Sequence, residues 1–149
     1  MVEREVFVSE TRGDPEKMLW YLAHPFTIMS KNELARAEGE RRNFKSACDL
    51  AFELLRCGIH TYSPISMTYP IHKRHPVPKD EEYRIYMGLD RMIAERCDGL
   101  ILCPGWEDSF GCKIERGWFL EWKKPVRRVV YLDEGLGLER DPASEDEGL

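Results

Sequence analysis

The chain has 149 residues, of which 42% are hydrophobic and 33% charged, with a net charge of −5. That is enough apolar residue for one core and too little chain for two ordinary domains. The acidic balance excludes a binder of polymeric nucleic acid, which needs a concentrated basic patch, and no run approaches the ~18 apolar residues of a membrane span.

Residues 1–16 are polar apart from Val6-Phe7-Val8 and read as an N-terminal arm. The folded domain is expected over 17–132. Met18-Leu-Trp-Tyr-Leu-Ala23 is a short apolar run stopped by Pro25, the pattern of a buried central strand. Asn32 is placed to cap a long helix whose apolar face is Phe44, Ala47, Cys48, Ala51, Leu54 and Leu55. Gly58 ends that helix, and Ile59 to Tyr62 reads as a second strand.

Ser63 to Asp80 holds Pro64, Pro70, Pro76 and Pro78 among Met67, Tyr69, His72 and His75. It reads as a long loop that covers a site. Tyr83 to Arg96 returns to helical spacing, with Ile85, Tyr86, Leu89, Met92 and Ile93 as its stripe. Gly99 to Cys103 is a third buried strand, Gly111 to Trp122 a third helix, and Val126 to Leu132 a fourth strand. The tail from Asp133 to Leu149, rich in glycine and acids, is expected to be disordered.

The order β-α-β-α-β-α-β predicts an α/β fold on a parallel sheet of four to five strands. Ligands of such sheets bind beyond the C-terminal ends of the strands. That rule points to His24-Pro-Phe-Thr27, to the 63–80 segment and to Pro104–Phe110. The five cysteines are odd in number and form no C-x-x-C pair. They read as reduced thiols of a cytoplasmic protein, with no metal and no cofactor, and the N-terminus lacks the apolar run of a signal peptide. Dinucleotide, phosphate-loop, zinc-protease and serine-esterase signatures are absent.

The informative stretch is Pro104-Gly-Trp-Glu-Asp-Ser-Phe-Gly-Cys-Lys-Ile-Glu115. A buried strand ends, a polar turn follows, and a helix starts whose free N–H groups attract anions. Ser109 and Asp108 can cap that helix or hold a ligand. Glu115, four residues past Gly111, leans back toward the helix start and the strand-end cleft. A plain cap and a solvated glutamate are the alternative. Asp90 borders an apolar stripe, where partial desolvation suits a proton donor; an exposed aspartate beside Arg91 is the alternative. Tyr21 either points into the cleft or packs in the core. Trp106 can stack on a base, and His24 can contact a phosphate.

Three segments follow one another in order: Tyr21-Leu-Ala-His-Pro-Phe26, Leu89-Asp90 running on to Asp98-Gly-Leu-Ile-Leu102, and Asp108-Ser-Phe-Gly111 with Glu115 and Gly117. Together they resemble the nucleoside 2-deoxyribosyltransferase superfamily, which includes 2'-deoxynucleoside 5'-phosphate N-hydrolases. The resemblance covers roughly 18–132 and is nearest to an uncharacterised bacterial and phage branch. It implies a flavodoxin-like three-layer fold and homodimers or larger homo-oligomers. It also implies a nucleoside or nucleotide substrate, Glu115 as nucleophile and Asp90 in acid/base work or sugar binding. Tyr21 would orient the nucleophile, and Ser109 would hold a 5'-phosphate. Where the hydrolases carry a glycine- and arginine-containing phosphate loop, this chain has His24-Pro-Phe-Thr27. The expected chemistry is retaining cleavage of an N-glycosidic bond. A non-catalytic nucleotide sensor and an NAD glycohydrolase are the competing readings, told apart by release of free base or nicotinamide.

Overall fold

A computed structural model describes residues 7–8 and 17–146. In chain order the elements are β1 (Phe7–Val8), β2 (Trp20–Ala23), α1 (Glu33–Arg56), β3 (Thr61–Tyr62), α2 (Pro64–Arg74) and α3 (Lys79–Arg96). They continue with β4 (Gly99–Leu102), a 3-10 turn (Trp106–Asp108), α4 (Phe110–Glu121), β5 (Val126–Leu132) and β6 (Gly135–Arg140). The strands form one mixed sheet in the order β1-β6-β5-β4-β2-β3. Strands β3, β2, β4 and β5 are mutually parallel, whereas β6 runs antiparallel to β5.

The alternation along β2 sets the layers, because successive side chains of a strand leave opposite faces. Trp20 and Leu22 pack with Leu50, Ala51 and Leu54 of α1. Tyr21 and Ala23 pack with Ala94 of α3 and with Cys112 and Phe119 of α4. Helices thus cover both faces, and β2 and β4 are buried along their whole length, as expected of central parallel strands. Asn32 caps α1, its side chain accepting from the Ala35 amide. The connection from β2 leads to β3 on one side, and the connection from β3 leads to β4 on the other. The sheet therefore changes winding direction between β2 and β4, and ligands of such sheets bind beyond the carboxyl ends of the strands at that point.

Three expectations need correction. The 63–80 segment is not a loop: α2 occupies Pro64–Arg74. Pro64 stands at the helix start, where its missing N–H costs nothing. Pro70 sits inside the helix and removes one backbone bond, while its neighbour Tyr69 packs against Phe26 and Phe44.

The sheet has six strands instead of four or five, and the tail beyond Asp133 is ordered through Asp146. A two-residue turn at Asp133-Glu134 pairs β5 with β6 from Leu132↔Gly135 to Arg127↔Arg140. A Cβ on Gly137 would come within 2.8 Å of Leu132 Cδ1, so that side chain packs over the glycine and would have to shift for any larger residue. The acids that suggested disorder are counterions. Asp141, fully buried, takes a bidentate pair from Arg116 at 2.8 and 2.9 Å. Asp146 takes one from the fully buried Arg127 at 2.6 and 3.1 Å.

Phe7–Val8 of the 1–16 segment is a strand, parallel to β6 at the sheet edge. The rest of that arm and residues 147–149 lie outside the described residues.

Candidate functional site

Tyr21 lies in the second position of β2 and is fully buried on the face covered by α3 and α4. Its hydroxyl donates to Glu115 Oε2. Glu115 stands one turn into α4, partly buried. Burial pushes its carboxyl up to about 8; the Tyr21 hydrogen bond opposes that shift, and the charge of Asp90 adds to it. The same surroundings raise the Tyr21 phenol well above its usual value, burial first and then the charges of Glu115 and Asp90.

Asp90 comes from α3 and is also partly buried. Desolvation pushes it up to about 6. Its Oδ1 is buried and has no hydrogen-bond partner among the described residues. A buried acceptor left unpaired is costly, so this atom is where a donor from a bound molecule would be accommodated.

Tyr21, Asp90 and Glu115, singled out from the sequence, are thus brought together. The charge of Asp90 acts on both Tyr21 and Glu115, and that of Glu115 on Tyr21. They sit beside the point where the winding of the sheet reverses.

Gly111 lies one turn before Glu115 on the same face of α4, and a Cβ placed on it would meet nothing within 4 Å. Ser109 caps α4, its Oγ accepting from the Cys112 amide at 3.2 Å. Asp108 closes the 3-10 turn and is exposed. Trp106 packs on the second core cluster, and the Arg116 guanidinium lies over its ring at 5.2 Å. That ring is therefore part of the support of α4, with one face already covered.

His24 is not poised as a phosphate-binding cation. Its Nδ1–H donates to the Pro25 carbonyl at 2.7 Å, and Nε2 takes the Ser46 hydroxyl at 2.9 Å. A carbonyl can only accept, which fixes that tautomer. Burial lowers its pKa, so at neutral pH it is an uncharged bridge from the end of β2 to α1.

Sequence reasoning missed Tyr62. It pairs in register with Tyr21, and its phenol is raised by burial and then by the charge of Asp90. The available signal was its place as the last residue of a strand, at the edge where ligands of such sheets bind.

Two surface grooves lie elsewhere. One, of about 430 Å³, runs along α1 past Arg42, Lys45 and Tyr131. The other, of about 210 Å³, lies between α1 and α2 at Glu40, Tyr69 and His72. No group of three or more His, Cys, Asp or Glu placed to hold a metal occurs among the described residues. Among the described residues no helix is long and apolar enough to cross a membrane.

No curated protein matches the sequence. A family described as a domain of unknown function (DUF1937) matches residues 18–131, from just before β2 to the penultimate residue of β5 and including every residue of the Tyr21–Asp90–Glu115 cluster. With that match spanning well over half of its length, the chain belongs to the DUF1937 family.

Proposed function

We propose that the chain cleaves the N-glycosidic bond of a (deoxy)nucleoside or nucleoside 5'-monophosphate, as a hydrolase or base-exchange transferase with retention at C1'. One observation carries this reading: a tyrosine-bonded glutamate and an unpaired, partly buried aspartate meet beside the winding reversal of the sheet. The four parallel strands, numbered among themselves, run 2-1-3-4. That is the order of flavodoxin-like folds and supports the fold half of the proposal.

In the first step a Glu115 oxygen bonds to C1' as the C1'–N bond breaks, and Asp90 gives its proton to the departing base. In the second step water, or another base, attacks C1' and releases Glu115, and its proton returns to Asp90. Retention requires the two carboxyl groups about 5–5.5 Å apart. Tyr21 holds Glu115 on the attacking face. The pair holds roughly one proton near neutral pH, the number that this chemistry needs, but in the empty site Glu115 has the higher affinity for it. The proton therefore has to reach Asp90 before attack.

The exposed Tyr83, Ile85, Met92 and Phe110 on α3 and α4 offer apolar surface next to the site for a second copy of the chain.

The proton on Glu115 also favours a second reading, a nucleotide sensor without catalysis, since a neutral carboxyl is a poor nucleophile. Incubation with deoxy- and ribonucleosides and their monophosphates, with and without an acceptor base, separates the two. Chromatographic appearance of free base supports glycosidic cleavage. Thermal stabilisation with no base released supports the sensor.

A further inference from the structure

Tyr21 and Tyr62 are register partners on adjacent parallel strands. Their side chains leave the same face of the sheet, with the strands about 4.8 Å apart. Tyr21 meets one acid of the site and Tyr62 lies within electrostatic reach of the other, but only one tyrosine–carboxylate bond is made. Tyr21 donates to Glu115. Tyr62 donates instead to Met67 Sδ at 2.9 Å, and a thioether is a weak acceptor. Meanwhile Asp90 Oδ1, whose charge reaches Tyr62, is buried with no partner among the described residues.

A good donor is spent on a poor acceptor while a strong acceptor nearby has no donor. Met67 is carried by α2, is 45% exposed, and lies three residues before the internal Pro70, so its hold on Tyr62 is easily exchanged.

We infer that Tyr62 is a positioning residue for Asp90, its hydroxyl passing from Met67 Sδ to Asp90 Oδ1 when the carboxyl ionises. The inference rests on Asp90 being the working acid of the proposed site. It makes the site symmetric: each carboxyl is oriented by a tyrosine from one of two adjacent strands. The bond to Asp90 favours the ionised form and so counters the desolvation of that carboxyl. It would re-form as the proton leaves for the substrate. The other titratable groups facing this region are Tyr21 from β2, Glu115 from α4 and Cys97 at the end of α3; α2 contributes the uncharged Met67.

The test is a carboxyl-¹³C NMR titration of Asp90, its signal assigned by loss in Asp90→Asn, in the wild type, Tyr62→Phe and Met67→Leu. Tyr62→Phe should raise the Asp90 pKa by about half a unit or more. The acid limb of kcat/KM should move up with it, with KM within about twofold. Met67→Leu breaks the same Tyr62–Met67 bond but leaves the hydroxyl free, so Asp90 should titrate at or below its wild-type pH. A purely structural role for the bond predicts the same change in both variants. An unchanged Asp90 titration in folded Tyr62→Phe, or equal shifts in the two variants, overturns the inference. The titration needs no turnover, so a failure of the glycosidase reading, seen as no base released from any substrate, is recognised separately.

Discussion

Gly111 and Glu115 lie one helical turn apart on the same face of α4, and nothing of the protein occupies the space that a Gly111 side chain would fill. Glycine inside a helix costs up to about 1 kcal/mol against alanine, and here no packing constraint demands it. The open space lies one helical turn before Glu115, at the end of α4 that faces the strand ends. Gly111→Ala should therefore leave stability unchanged or raise it by about 0.5–1 kcal/mol, while kcat/KM falls by about tenfold or more. Thermal melts and base-release kinetics on the same preparation check both halves. Unimpaired turnover in the alanine variant would place the substrate elsewhere.

The pH dependence follows from the two acids. Cleavage needs the pair singly protonated, so kcat/KM should be bell-shaped, rising through about 6 and falling through about 8. Because the acids interact, the two limbs belong to the pair. Asp90→Asn should abolish the bell and leave a single limb that reports Glu115 alone, shifted down because a repelling charge is gone.

The same shift has a sign for stability. A carboxyl whose proton affinity is raised by folding stabilises the fold most below its unfolded value of 4.5, and that contribution is lost as pH rises through about 8. Glu115→Gln never has to hold a buried charge. It should melt higher than the wild type above pH 8, with the gap closing toward pH 4. Melting temperatures across that range decide it, and a gap that widens toward acid pH would contradict the burial of Glu115.

The C-terminal segment is a structural strap. Removing the Asp141 carboxylate leaves the partly exposed guanidinium of Arg116 without its bidentate partner, and loss of charged hydrogen bonds of this kind costs about 1.5–3 kcal/mol. Asp141→Ala should lower the denaturant midpoint accordingly and loosen Trp106, over which Arg116 lies. Burial alone would raise Asp146, but hydrogen bonds from Arg127 and Ser144 and the charges of Arg127 and Arg140 hold it down at about 2. Its contribution is complete above the usual aspartate value of 3.8 and disappears as pH falls through about 2. Asp146→Asn should therefore destabilise the protein at neutral pH and have little effect near pH 2.

Substrate charge should matter as well. The groups that act electrostatically on Glu115 and Asp90 include no cation, and His24 is neutral at the end of β2. A 5'-phosphate dianion next to two carboxyls is repelled. A nucleoside should therefore have a kcat/KM at least about tenfold above that of its monophosphate at low salt, with the gap shrinking as salt is added. Preference for the monophosphate would mean that a cation reaches the site from outside the described residues, for example from a second copy of the chain.

The parts of the fold that were legible in the sequence are those governed by local periodicity. The buried runs at Trp20–Ala23 and Gly99–Leu102 and the helical spacing of α1, α3 and α4 state their own environment. Leu55 of the α1 face and Ile85 and Met92 of the α3 stripe are nevertheless exposed, and Ala94 is what α3 buries. Tyr21, Asp90 and Glu115 could be singled out because each lies at a strand or helix position with a defined direction. What escaped was set by partners distant in the chain. The prolines of 63–80 suggested a loop because the aromatic contacts of Tyr69 with Phe26 and Phe44 are tertiary. The acidic tail suggested disorder because its charges are matched by Arg116 and Arg127, which lie 25 and 19 residues before their acidic partners. Tyr62 gave too little local pattern in a two-residue strand, and its register with Tyr21 exists only once the sheet has formed.

The most direct measurement is covalent. A nucleoside bearing fluorine at C2' of an arabino sugar slows release of the glycosyl–enzyme ester, and peptide mapping by mass spectrometry then locates it. The account predicts one adduct per chain, on Glu115, absent in Glu115→Gln, whose base release should fall by about a thousandfold or more. Near-normal base release from Glu115→Gln, or an adduct on any other residue, would contradict it.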